Sequence, residues 1–564
     1  FYDTTNVRFG VCLVGPATGG KTMAYRILAQ TMTSLHEAGS EDETFGIVHL
    51  HRMNPKSITM GELYGEFNEL TAEWTDGLAS TIMRAQARDE TDERQWVSFD
   101  GPVDTLWIES LNTVLDDNMT LCLANGERIK LRPQMRIIFE CNDLEQASPA
   151  TVSRIGVVYY SLETVRWLPC VQTWCHRTFD RLGPSFVEHL LGQFKSSIDD
   201  GLAFLRKKLK EPIATMDIQL TNSLCTLFTS LWTGGVSDGH IDESLAAGPD
   251  EADLLKIVDQ LFAFSFMWTI GGSCNEDSRQ QFDAWASSHD LFRDINFNGP
   301  DVYASFPDLA NGGKFTPWST IVPSFEYNKD ASFFDLVVPT LDTTRFSFLL
   351  QRQLEVFGNV FFTGVTGTGK TVIVSDLLNR MKAPEDEGGM DLHDISLNFS
   401  AQTISLQIQM TIEEKLEKKK KTLLGPPGAK KIVCIFVDDV NMPAVEEYGA
   451  QPPIELLRQI VGERGIYDRT KLYWRDIDKM AMVLASAPPG GGRNEITQRF
   501  SSQFHTLCIP SAAEEVLESI FKTMLSGFLE AYRFSAATQD LSAKAVKATI
   551  EVYHAVAANL RPTP

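Results

Sequence analysis

Val11-Cys12-Leu13-Val14 leads into Gly15-Pro16-Ala17-Thr18-Gly19-Gly20-Lys21-Thr22, and Val360-Phe361-Phe362 leads through Thr363 into Gly364-Val365-Thr366-Gly367-Thr368-Gly369-Lys370-Thr371. Each stretch is an apolar run, a Gly-x-x-x-x-Gly-Lys-Thr loop and a helical pattern, in the order of a phosphate-binding P-loop. Glycines let backbone amides wrap an anion, and the helix N-terminus adds positive potential. Lys21 and Lys370 are therefore expected to reach the β and γ phosphates of a nucleotide, ATP or ADP. Thr22 and Thr371 are expected to hold Mg.

Working outward, the same ordered set of signals appears twice, which predicts tandem homologous modules. In the first copy a strand ends at Asp100, and Asn125-Gly126 marks a hairpin between Leu121 and Ile129. A strand from Met135 to Phe139 follows, then a short helix bearing Arg154 and a last strand to Tyr160. In the second copy a strand ends at Asp438-Asp439, another runs from Met480 to Leu484, and Arg499 precedes the last strand. Strands alternating with helices predict α/β modules, each with a mainly parallel sheet covered on both faces.

Asp100 and Asp438 stand where a strand-end aspartate supports magnesium. The following residue is often a glutamate that orients the attacking water. Gly101 replaces it in the first copy, and Glu109 or Asp116 are remote substitutes; Asp439, one methylene shorter, stands there in the second. The expectation is binding without appreciable turnover at the first loop and slow turnover at the second. Arg154 and Arg499 occupy equivalent places before the last strand, where an arginine can serve a neighbouring module's phosphates in trans.

The chain has 564 residues, 43% of them hydrophobic, too many for one ordinary domain. It carries 51 basic against 74 acidic residues, a net charge of −23, which argues against sequence-independent nucleic-acid binding. Nine cysteines without a CxxC pair suggest reduced thiols, and the ten histidines form no metal motif. The longest mostly apolar run, Leu261 to Ile270, is about half of what a bilayer crossing needs, so no membrane role is expected. A chain opening on Phe1 and closing on Pro564 reads as a piece of a longer polypeptide. The run Lys415 to Lys421 reads as a solvated helix face, and the aromatic residues from Phe262 to Trp268 as lid core.

Longer strings carry a family resemblance. Phe99 to Asp104, Trp107 to Asn118 and Ala147 to Arg154 resemble the second AAA+ module of dynein heavy chains, and Phe436 to Pro443, Tyr448 to Arg458 and Ala487 to Asn494 are similar to the third. The resemblance covers essentially the whole chain. It implies a six-module ATP-driven microtubule motor ring whose main hydrolytic site precedes Phe1 and whose stalk and remaining modules follow Pro564. Arg154 would complete the preceding module's site, and Arg499 the site of Lys21.

The resemblance further implies Asn142, with Glu140 as competitor, as the first module's sensor residue, Ser486 as a weaker second-module candidate, and Arg279 as a lid arginine reaching the first nucleotide. It implies partners in neighbouring AAA+ modules of the same heavy chain, and intermediate chains, light chains and microtubules elsewhere. Asp439 and the Tyr448 to Arg458 string favour an axonemal member, in a cilium or flagellum, over a cytoplasmic one. The expected division is a first large subdomain at 1–163, a helical subdomain at 164–297, a linker and module start at 298–340, a second large subdomain at 341–512, and the start of another helical subdomain at 513–564. The rival readings are a nucleotide-stapled structural scaffold and a different AAA+ remodelling ATPase.

Overall fold

A computed structural model describes residues 1–42, 44–233, 251–330 and 336–560. The parts of the helical-subdomain, linker and C-terminal expectations that fall on 234–250, 331–335 and 561–564 lie outside the described residues. Two five-stranded sheets dominate. With strands numbered through these two sheets only, the first comprises β1 (Gly10–Val14), β2 (Val48–Met53), β3 (Arg94–Asp100), β4 (Met135–Cys141) and β5 (Gly156–Tyr159). The second comprises β6 (Val360–Thr363), β7 (Leu392–Asn398), β8 (Ile432–Asp438), β9 (Met480–Ser486) and β10 (His505–Cys508). Their spatial orders are 2-3-4-1-5 and 7-8-9-6-10, parallel throughout, so the repeat in sequence is a repeat in topology.

The central strands read as apolar runs because both faces are covered. In β1, Val11 and Leu13 face Tyr25, Ala29 and Met32 of α1 (Lys21–Glu37), while Cys12 and Val14 join a core with Phe99, Trp107 and Phe139. In the second sheet one face, with Phe361, Ile435 and Leu484, packs on α-helical residues such as Ile454 and Leu457. The other face, with Phe362, Phe436 and Val483, belongs to a larger core shared with the first module's helical lid.

Among the described residues that lid includes α2 (Leu168–Phe179), α3 (Pro184–Lys208), α4 (Asp217–Thr233), α5 (Glu251–Phe266) and α6 (Glu276–Ala286). A π-helical turn, Met267–Gly271, extends α5 and delivers Trp268, fully buried, against Tyr303 and Phe346 at ring distances of 5.2 and 5.8 Å. The segment Asp253–Gly271 is long and apolar enough to cross a bilayer, yet 72% of that stretch is buried inside the fold. Phe262, Phe264 and Phe266 are fully buried there with Trp268 as lid core. From α4, Gln219 donates to the carbonyls of Ser501 and Phe504 and to Thr506 Oγ1, tying the lid to the residues after Arg499.

Two local expectations are corrected. The passage expected as a loop-rich linker contains an antiparallel hairpin, Ser305–Asp308 with Lys314–Pro317, whose Phe306 and Phe315 join the lid core with Trp318. The basic run expected as a helix face is instead a strand, Glu417–Lys420, paired with Leu423–Gly425. The preceding helix, Ser405–Lys415, stops at Leu416, and the partner strand leads into Pro426-Pro427, which cannot donate to a continuing helix. The first module's hairpin forms at Asn125-Gly126, with Gly126 at φ 90 supplying the left-handed turn position.

His505 lies at the seam between lid and second sheet, with one ring nitrogen 3.0 Å from the Trp268 carbonyl and the other 3.1 Å from Gln353. Burial pushes its imidazole down to about 4. A histidine held neutral in the fold contributes stability that is complete above its unfolded value of about 6.5 and is lost as pH falls toward the folded one. Between pH 7 and pH 5 this group should weaken the seam by about 2 kcal/mol. His505→Gln should remove that pH dependence, read as amide-exchange protection of β10 at the two pH values; equal pH slopes in the two proteins would discard this assignment.

Candidate nucleotide sites

The first loop takes its shape from unusual backbone. Thr18 has φ 63 and Gly20 φ 87, and α1 begins immediately after. Gly15 is compulsory: a Cβ there would lie 2.2 Å from the Tyr160 carbonyl oxygen. Lys21 is buried and its Nζ donates to the carbonyls of Gly15 and Pro16, both at 2.7 Å. Burial pushes its ammonium below the ordinary lysine value. A cavity of about 370 Å³ opens over the loop, with Asp100 and Glu140 on one side and Arg458 and Arg499 on another. Ile218 and Asn222 of the lid also line it.

Arg458 and Arg499 come from the second module. Arg458 donates to Asp100 Oδ2 at 2.8 Å and to the Asp100 carbonyl, and Arg499 pairs with Asp100 Oδ1. Arg458 lies on α9 (Pro452–Glu463; α7 is Leu341–Glu355 and α8 is Lys370–Met381) and also holds Glu455 at 2.9 Å. Glu455 in turn accepts from Asn54 of the first module at 2.7 Å. Burial disfavours the Asp100 charge, but the two guanidinium groups outweigh it and hold the carboxyl below the usual range. Burial likewise opposes the Arg458 charge, and Asp100 and Glu455 more than restore it.

Thr22 does not turn to Asp100. Its hydroxyl donates to Glu140, 2.8 Å from each carboxylate oxygen. Glu140 is opposite Asp100 in the β3–β4 register, and burial followed by the Asp100 charge pushes its carboxyl up. Asn142, the expected sensor, lies beyond the strand end with an exposed side chain, and its backbone carbonyl accepts from Gly15. Glu140, the competitor, is the residue that lines the cavity. At Gly101 an added Cβ would stand 2.8 Å from Asn54 Oδ1 and 3.0 Å from Pro55 Cδ, so the place of the missing glutamate is filled by the residues that follow β2. Glu109 is exposed, and Asp116 is engaged by Arg154; neither lines the cavity.

The second loop repeats the design. Gly367 and Gly369 have φ 87 and 82, and Lys370 Nζ donates to the carbonyls of Gly364 and Val365 at 2.8 Å. Burial lowers the Lys370 ammonium too. Here the hydroxyl and strand-end carboxylate do meet: Thr371 Oγ1 donates to Asp438 Oδ2 at 2.6 Å. Asp439 has φ 50 and lies 3.5 Å from Arg493. Beside Val365–Thr368 an apolar cavity of about 850 Å³ runs between α10 (Glu514–Ala531) and α11 (Ser542–Asn559), lined by Leu517, Phe521, Met524 and Val546. Ser486 is buried at the end of β9 with no partner for its hydroxyl. Strand register makes Cys141, not Asn142, its first-module counterpart.

Of the two remaining candidate arginines, Arg279 was expected at the first loop and Arg154 at a preceding module that lies outside this chain. Arg279 is corrected: it donates to the carbonyls of Gly272 and Cys508 and lies over the Trp268, Tyr303 and Phe346 rings, in the seam with the second sheet, not in the Lys21 cavity. Its place on α6 turns the guanidinium toward aromatic faces that hold a cation without a carboxylate. Arg154 bonds Asp116 and the Ala150 carbonyl and lines neither cavity. Arg458 was missed because a mid-helix arginine has no one-dimensional signature; only α9 docking on the first module reveals it.

Both loops fit a Mg-nucleotide in their lysine and backbone cradles. The second also offers the hydroxyl–carboxylate pair that magnesium takes alongside phosphate oxygens. In the first, that pair is Thr22 with Glu140.

The architecture and these loops define tandem AAA+ P-loop modules. The AAA domain of the dynein-related subfamily matches residues 10–155, the dynein heavy chain AAA lid domain 190–320, and the P-loop containing dynein motor region 325–512. The chain is 45% identical over 566 residues to human dynein axonemal heavy chain 6, across all of this chain and 13% of that protein. It is 37% identical to rat dynein axonemal heavy chain 12 and 36% to the Chlamydomonas reinhardtii dynein-1-beta heavy chain of the flagellar inner arm I1 complex, across 18% and 13% of their lengths. The chain thus spans less than a fifth of these relatives, and it belongs to the dynein heavy chain family.

Removing one partner of a buried ion group leaves the others uncompensated, at a cost of about 3–5 kcal/mol. Arg458→Met should cost on this order, whereas Asp100→Asn combined with it should cost clearly less than the sum of the single changes. Chemical unfolding of the four proteins of that cycle measures the coupling, and strict additivity would sink it.

Proposed function

We propose that the chain forms the second and third AAA+ modules of an axonemal dynein heavy chain and binds ATP or ADP with Mg at both P-loops, regulating and transmitting an ATP-driven microtubule motor cycle. The observation that carries this reading is the Lys21 cavity, whose walls come from the loop of one module and the arginines of the next. Nucleotide phosphates there draw Arg458 and Arg499 toward Lys21, so occupancy sets how closely the two modules dock. When bound, Mg offsets phosphate charge and orders the γ-phosphate oxygens. The apolar cavity beside Val365 is suited to a nucleotide base.

At the first site nothing at residue 101 orients water, and Asn54 and Pro55 occupy the space. That site retains nucleotide without turnover. At the second site Asp439 is short and faces Arg493, which supports slow turnover; a water misplaced by about 1 Å costs on the order of a hundredfold in rate. Arg154 serves the module that precedes this one, with Asp116 as its resting partner. The axonemal names of its relatives support a motor in a cilium or flagellum, with intermediate chains, light chains and microtubules engaged through other regions. A permanently nucleotide-stapled scaffold is the second reading for the first site, favoured by the seal that two arginines make over Asp100.

In the intact motor, Lys21→Ala should abolish one slowly exchanging, unhydrolysed ATP, and Lys370→Ala should abolish a nucleotide that turns over to ADP. Asp439→Asn should slow that turnover at least tenfold. Bound-nucleotide analysis by chromatography after quenching decides it: ADP formed at the Lys21 site would refute the non-hydrolytic assignment.

A further inference from the structure

The two modules differ in which carboxylate their P-loop threonine touches. At the second site the partners are Thr371 and Asp438, the strand-end aspartate, 2.6 Å apart. At the first, the equivalent aspartate is consumed: Arg458 takes one oxygen and Arg499 the other. The Thr22 hydroxyl lies instead midway between the two Glu140 oxygens. Strand register explains how this exchange is possible. Glu140 stands opposite Asp100 on the adjacent parallel strand, so the two side chains leave the sheet on the same face; in the second module the residue opposite Asp438 is Ala485, which has no carboxylate to offer.

We propose that Glu140, and not Asp100, is the carboxylate that holds magnesium with Thr22 at the first nucleotide site, and that Asp100 is the anchor for the second module's Arg458 and Arg499. The assignment rests on the nucleotide-binding reading above and names the metal-facing residue within it. Two charge-assisted contacts on Asp100 leave it little capacity to coordinate a cation, because both oxygens already accept from guanidinium groups that are themselves buried. Glu140 is buried beside Lys21 and Thr22, and its one ion-pair neighbour among the described residues, Arg499, is 3.9 Å away, beyond hydrogen-bond distance. Mg is commonly held by one or two carboxylates, a hydroxyl and phosphate oxygens, which is the set this corner supplies. The aspartate thereby changes from a metal partner into a docking point between modules, and the neighbouring strand makes up the loss.

The test uses the full heavy chain and reads only the bound nucleotide that Lys21→Ala abolishes. Its retention is measured over a series of free Mg concentrations, giving a midpoint. Glu140→Gln keeps an acceptor for Thr22 but removes the charge, and should raise the Mg midpoint about tenfold or more. Asp100→Asn should leave the midpoint within about twofold while speeding nucleotide loss at every Mg concentration, because it loosens the arginine dock. A tenfold rise with Asp100→Asn and none with Glu140→Gln would overturn the assignment. Should Asp100→Asn fail to fold, Arg458→Gln answers the same question: it frees an Asp100 oxygen, and a fall in the Mg midpoint would overturn the proposal, whereas an unshifted midpoint is expected. Nucleotide present at Lys21 with the wrong variant response defeats this assignment alone. The absence of any Lys21-dependent nucleotide in the unmodified motor would instead defeat the nucleotide reading, and this assignment with it.

Discussion

The apolar seam between the first module's lid and one face of the second sheet is the contact on which the rest depends. Trp268, delivered by a π turn, Phe346 and the inner residues of β6, β8 and β9 form a single core, so lid and second module are one packed body. Interiors at crystal-like density transmit displacement rather than absorb it. The lid also covers the first P-loop with Ile218 and Asn222, and through Gln219 it holds the residues just after Arg499. One body therefore carries the lid over the first nucleotide site and sets the arginines that face it.

Against that body the first module presents polar groups. Asp100, Asn54 and Glu140 meet Arg458, Glu455 and Arg499, and Arg26 of α1 meets Glu463 at 2.9 Å. A charged joint between two well-packed bodies responds to phosphate charge in a way an apolar one cannot. On the proposed nucleotide reading, an incoming polyphosphate would compete for the same guanidinium groups and change the balance of attraction across the joint. Rigid-body shifts of one module against the next are the motion such a joint permits.

Much of the fold was legible in the chain. Two loops of identical pattern, each between an apolar run and a helix, imply repeated α/β modules with mainly parallel sheets, because parallel neighbours need crossover connections; the strand order came only with the structure. The aromatic stretch from Phe262 to Trp268 was readable as lid core for the same reason of density. Other elements were not legible. Lys418 to Lys420 have the charge pattern of a helix face, yet pairing with Leu423 to Gly425 makes them a strand, since exposed lysines accept either conformation and the partner decides. The hairpin at Ser305 to Pro317 was hidden among glycines and asparagines that read as loop punctuation.

The sequence by itself determined the repeated α/β modules, the two lysine-bearing loops and the loss of the glutamate at Gly101. These follow from local chemistry: glycine positions, apolar runs and residue types at short spacing act within a few residues of one another. Tertiary structure alone decided that Arg279 belongs to the second module's seam, that Arg458 joins Arg499 on Asp100, and that Thr22 faces Glu140. Each of those partnerships joins residues far apart in the chain or on different strands. Their geometry is set by strand register and by the docking of one packed body on another, neither of which is written into the spacing of residues along a single segment.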